Sequence, residues 1–113
     1  MGCMTIIGEG QDEKQSIEAI RGAIDLGINF FDTAEAYGNG ASEEILGKAL
    51  KGYRSKVVIA SKPASKNASA RLLIKSCERS LKRLDTDYID LYQIHWPNRT
   101  VEFEETFKAM EKL

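Results

Sequence analysis

Three short apolar runs in this chain each end in an ionisable side chain, and those ends, Asp32, Lys62 and His95, fall 30 and 33 residues apart. That interval is the length of one strand–helix unit. The run Ile28-Asn29-Phe30-Phe31 has the aromatic and branched character of a buried strand, with Asp32 at its C-terminal end. Residues 56–61 lead in the same way to Lys62, and residues 88–94 to the single histidine, His95. Consecutive parallel strands joined by helices present their C-terminal ends on one rim. An acid, an amine and an imidazole are therefore expected to meet there. Tyr37 adds a phenol five residues after Asp32, in a loop of small residues and glycines.

The intervening segments read as helices. Residues 1–7 form a candidate first strand, followed by the loop Gly8-Glu9-Gly10. A helix then starts at Asp12, with Gln15 as its capping-box partner, Ile17, Ile20, Ala23 and Ile24 on one face, and Gly27 as its stop. Ser42 is the expected N-cap of the second helix, with Glu43 and Glu44 in its first turn. Ile45, Leu46, Ala49 and Leu50 form its stripe. A third helix from about Ser69 carries Leu73, Cys77, Leu81 and Leu84, and its basic side (Lys75, Arg79, Lys82, Arg83) reads as a solvated face. Pro97 and Asn98 break the chain before a last helix near Thr100, with Phe103, Phe107 and Met110 on one side. The order βαβαβαβα, read as one domain over residues 1–113, is an α/β arrangement with a parallel sheet. It fits four units of an eight-fold barrel or a small open sheet.

Composition narrows the function. With 42% hydrophobic residues in 113, a packed core is within reach. A net charge of −1 gives no electrostatic case for nucleic acid or an anionic membrane surface. The apolar runs are too short to span a bilayer, and the start of the chain lacks the pattern of a secretory signal. Cys3 and Cys77 fit neither a disulfide framework nor a zinc site, so no metal is expected and a reduced, cytoplasmic protein is.

Taken singly, each rim residue has an ordinary structural reading: a turn cap for Asp32, a surface ring for Tyr37, a solvated Lys62, a hydrogen-bonded His95. Taken together they have a chemical reason to be neighbours. A lysine beside a tyrosine favours the phenolate, and an aspartate holds the lysine in place. The tyrosine becomes a usable proton donor, and the histidine can hydrogen-bond the oxygen that receives the proton. A carbonyl being reduced by hydride suits such a group, and hydride requires a cofactor.

The stretch from Gly27 to Gly47, with Phe31-Asp32-Thr33-Ala34, Tyr37-Gly38, Glu43-Glu44 and Leu46-Gly47, resembles the aldo-keto reductase signature. Ala60-Ser61-Lys62 and Gln93-Ile94-His95-Trp96-Pro97 are similar to that family's lysine and histidine segments, and Gly2-Cys3-Met4 to its first strand. The resemblance implies a TIM-type (β/α)8 barrel, here its first four βα units, using NADP(H) and less often NAD(H) to reduce carbonyls. It makes Asp32, Tyr37, Lys62 and His95 the catalytic tetrad, with Tyr37 the general acid. Asp32, Cys3 and Met4 fall at cofactor-contacting positions, and Tyr37, His95 and Trp96 at the substrate. Single barrels of the family run roughly two to three times this length. The segments that hold the nicotinamide amide, pyrophosphate and 2′-phosphate thus lie outside this stretch. Two further expectations follow: pairing with a second half-barrel, either a C-terminal segment or another copy, and, as the alternative to an enzyme, a weakly active cofactor-sensing or scaffolding subunit.

Overall fold

The computed structural model describes residues 1–4 and 12–113. Helices α1 (Glu13–Asp25), α2 (Ala41–Ala49), α3 (Ala70–Leu84) and α4 (Phe103–Met110) alternate with strands β1 (Phe30–Asp32), β2 (Val58–Ser61) and β3 (Leu91–Tyr92). The strands are parallel and lie in chain order, with Phe31 opposite Ile59 and Ala60 opposite Leu91. On the far side of β1, Gly2 forms a parallel bridge with Asp32, and the Cys3 N–H donates to the Asp32 carbonyl at 2.8 Å. The first strand is thus seated beside β1. The rest of its expected span and the Gly8-Glu9-Gly10 loop lie outside the described residues. Parallel strands in sequential order, each followed by a helix on the same face, form the wall of a (β/α)8 barrel.

Alternation along the strands sorts the core. Phe31 and Ile59 are fully buried against the helices, joined by Ile20, Leu46, Leu50 and Leu84. Phe30, Val58 and Leu91 occupy the opposite face and remain 43%, 36% and 41% exposed. The reading of residues 28–31 as a wholly buried strand is therefore corrected: Ile28 is also exposed, and Phe31 alone of its apolar side chains is in the core. The α2 and α3 stripes fall inward as expected. At Gly47 a Cβ would stand 2.7 Å from the carbonyl oxygens of Arg83 and Leu84, so glycine is what lets α2 close on the end of α3.

Several boundaries differ from the expectation. Asp12 caps α1 through Lys14 N, at 3.1 Å, while Gln15 is exposed. Ser42 lies inside α2, whose N-cap is Gly40, because its hydroxyl is taken by the Cys3 carbonyl and Thr33 Oγ1, both at 2.9 Å. Strand β3 is shorter than 88–95: its start is drawn away by Arg54, which stacks 3.7 Å over the Tyr88 ring and pairs with Asp90 at 2.7 Å, and it stops at Tyr92, before His95. Helix α4 starts after Glu102, because Asn98 accepts from Thr100 and holds 98–101 as a turn. It buries Thr106 and Ala109, whereas Phe103 and Phe107 stack on each other and stay 60% and 57% exposed.

Candidate active site

The rim assembles from the ends of the strands. Asp32 closes β1, and Lys62 follows β2 directly. Lys62 Nζ donates to Asp32 Oδ1 at 2.6 Å and to the Thr33 carbonyl at 2.9 Å, which fixes the ammonium between the two strand ends. Only 13% of the Lys62 side chain is exposed, against 35% for Asp32. A half-buried, charge-assisted pair of this length is held far more firmly than a surface ion pair.

Tyr37 opens the turn Tyr37–Gly40 that leads into α2. Gly38, Asn39 and Gly40 all have positive φ, at 57°, 54° and 96°, a left-handed run that the Gly-Asn-Gly sequence tolerates. That bend turns the Tyr37 ring back over the strand ends. Its centre is 5.4 Å from Lys62 Nζ, and the ring stands nearly perpendicular to His95 with centroids 5.6 Å apart. His95 in turn stacks on Trp96 at 5.8 Å, and Trp96 is 66% exposed. Burial holds the His95 imidazole below the usual histidine range, the Lys62 charge pushes the same way, and Asp32 pulls against both. All four expected tetrad residues thus meet at one rim. Of the other expected site residues, Met4 is exposed, and Cys3 is fully buried among core side chains, its thiol pushed up to about 11 by that burial. Among the described residues no group of three or more His, Cys, Asp or Glu is placed to hold a metal ion.

Two carboxylates are buried among the described residues: Glu35, for which the sequence suggested no role, and Glu43, expected as a first-turn acid of the second helix. Glu35 Oε2 accepts from the Ala64 N–H, Asn67 Nδ2 and Ser76 Oγ, and Oε1 from Arg79. Burial opposes its charge, but these four donors outweigh it and hold the carboxyl down to about 2. Glu43 accepts from Ser61 Oγ at 2.6 Å and pairs with Arg83 at 3.2 Å. Arg79 and Arg83, read as part of a solvated basic face, are therefore structural partners of the rim. Their acidic partners lie 44 and 40 residues away in the chain, beyond the reach of any helical spacing rule. A cavity of about 600 Å³ between α2 and α3 is lined by Lys48, Lys51, Lys82 and these two arginines. None of the tetrad residues lines it, and Lys48, Arg79 and Arg83 are paired with Glu13, Glu35 and Glu43.

The model of the aldo/keto reductase family matches residues 1–113. The chain belongs to this family. The aldo-keto reductase YhdN of Bacillus subtilis is 51% identical over 92% of the chain, and the methylglyoxal reductase YeaE of Escherichia coli is 46% identical over 93%. The chain covers 34% and 37% of those two proteins, so it spans about a third of the length of these relatives. A Klebsiella pneumoniae aldo/keto reductase solved with NADP and acetate superposes with a TM-score of 0.94 at 39% identity, over 100% of this chain and 40% of that one. The aldo-keto reductase strands and helices described above are thus one part of a (β/α)8 barrel.

Proposed function

We propose that this aldo-keto reductase chain supplies the acid–base rim of an enzyme that reduces aldehyde or ketone carbonyls with NADP(H), or less readily NAD(H). The observation that carries the reading is the seat of Lys62 Nζ, 2.6 Å from Asp32 Oδ1 and 5.4 Å from the centre of the Tyr37 ring. The donor set suits a dinucleotide: Asp32 keeps 35% of its side chain exposed while Oδ1 is engaged, so the carboxylate stays reachable by a ribose hydroxyl. Asp32 and the exposed Met4 are the residues of this chain that would hold the cofactor, and Cys3 would act through packing. Bound NADPH supplies the hydride.

The protein side of the reaction is proton control. Tyr37 gives its phenolic proton to the carbonyl oxygen as negative charge develops there. Lys62 stabilises the phenolate left behind, and Asp32 keeps the ammonium in place. His95, held below the usual histidine range by burial and by Lys62, is uncharged at neutral pH and hydrogen-bonds the reacting oxygen. Trp96, stacked on His95 and open to solvent, walls the substrate side.

The exposed face of Phe30, Val58 and Leu91 fits the inner wall of a barrel that further strands close. We take the partner to be a C-terminal half-barrel of the family's kind. Sedimentation, NADPH titration and steady-state NADPH oxidation with a panel of carbonyls test this. Turnover is expected when that half is present, and self-association with little activity from the 113 residues alone. NADPH binding without turnover in the closed barrel would favour the scaffolding subunit. A stable 113-residue monomer binding NADPH at micromolar affinity would refute the need for a second half.

A further inference from the structure

Glu35 lies two residues before Tyr37 and between the two segments that carry the rim. Its backbone N–H donates to the Lys62 carbonyl at 3.0 Å. Its carboxylate accepts from the Ala64 N–H at 2.9 Å and from Asn67 Nδ2 at 2.8 Å, so the segment just after Lys62 is gripped as well. The remaining bonds, from Ser76 Oγ at 2.5 Å and Arg79 at 2.6 Å, anchor the same carboxylate to α3. Glu35 is 8% exposed and its partners Asn67 and Ser76 are buried, while the Arg79 side chain, 43% exposed, forms the open edge of the clamp. A charged acceptor with four donors in such a place is a stiff joint.

We infer that Glu35 is a positioning residue: it clamps the loop after β2 to the loop after β1 and so sets where the Lys62 ammonium stands relative to Tyr37 and His95. The inference rests on the reading of Lys62 as a member of the site. It goes beyond that reading because Glu35 touches none of the reacting groups. Asp32 and the Thr33 carbonyl fix the tip of the Lys62 side chain, whereas Glu35 fixes the backbone at Lys62 and in the segment that follows it.

The single histidine makes this testable without turnover. The groups that act on His95 are the Tyr37 and Trp96 rings and the charges of Lys62 and Asp32. Its titration is followed by NMR in the 113-residue chain, in Lys62→Met, in Glu35→Gln and in Asn67→Ala, with amide protection in α3 as the check on folding. Lys62→Met raises the midpoint, because a nearby positive charge is removed. Glu35→Gln is expected to raise it too, by a smaller amount, as Lys62 is freed to move away. Losing the Glu35 charge by itself would lower the midpoint, so the sign separates positioning from a direct charge effect. Asn67→Ala keeps the charge, loosens the same clamp and is expected to shift the midpoint upward as well. A folded Glu35→Gln chain with His95 at or below the parent midpoint overturns the proposal, as does unfolding of both clamp variants. An unmoved midpoint in Lys62→Met instead sinks the reading of the rim, and the proposal with it.

Discussion

Lys62 Nζ stands 2.6 Å from Asp32 Oδ1, joining the ends of two adjacent parallel strands that are 30 residues apart in the chain. Because both charges also act on His95, the pair has a visible electrostatic consequence. Asp32 pulls the imidazole toward the charged form, so Asp32→Asn should lower the His95 midpoint below that of the parent. A single-signal NMR titration reads this, and an upward shift would mean that the Asp32 charge is not felt at His95.

Phe30 and Phe31 are adjacent and of one type, yet they face opposite sides of β1. Phe31→Ala empties a fully buried site and is expected to cost about 3–5 kcal/mol in urea denaturation. Phe30→Ala, at a position 43% exposed, should cost clearly less in the same chain. Equal losses would place Phe30 in a contact that the sheet face does not display.

Glu35 links stability to acid. Its carboxyl is held at about 2, below the ordinary carboxylate value of 4.5, so the stability it contributes is complete above 4.5 and is lost as pH falls toward 2. Glu35→Gln should therefore be most destabilised at neutral pH, with its gap from the parent narrowing on acidification. Denaturation curves at several pH values between 7 and 2 check this, and a constant gap would contradict the assignment.

Gly40 has φ +96° and faces the Arg83 guanidinium, which an added Cβ would strike. Gly40→Ala should cost about 1–3 kcal/mol through backbone strain, and should disturb the Arg83–Glu43 pair. Gly22, in α1 with open space around it, is the control, where Ala should be neutral or stabilising by up to about 1 kcal/mol. Thermal denaturation of the two variants separates strain from a general effect of glycine replacement.

The rim was legible because its signal is local and periodic: Asp32 ends β1 and Lys62 follows β2 directly, as the apolar runs indicate, while His95 lies three residues past the end of β3. Helix faces were legible for the same reason in α2 and α3. The failures share a different cause. Ser42 carries every local mark of an N-cap, but its hydroxyl is claimed by Thr33 and Cys3, and the second of these is 39 residues away. The Glu35 partners lie 29 to 44 residues off, on a loop and a helix, where no spacing rule reaches. Phe30, Phe103 and Phe107 have the hydrophobicity of core residues, yet hydrophobicity does not say which face of a strand or helix has a partner.

The most direct test is single-turnover NADPH oxidation by the closed barrel carrying these residues, comparing the parent with Tyr37→Phe under conditions where hydride transfer limits the rate. The proton-control reading expects the rate to fall by about 10²-fold or more, the usual worth of a positioned acid, with NADPH affinity held. An unchanged rate in Tyr37→Phe would remove the phenol from the reaction and contradict the account.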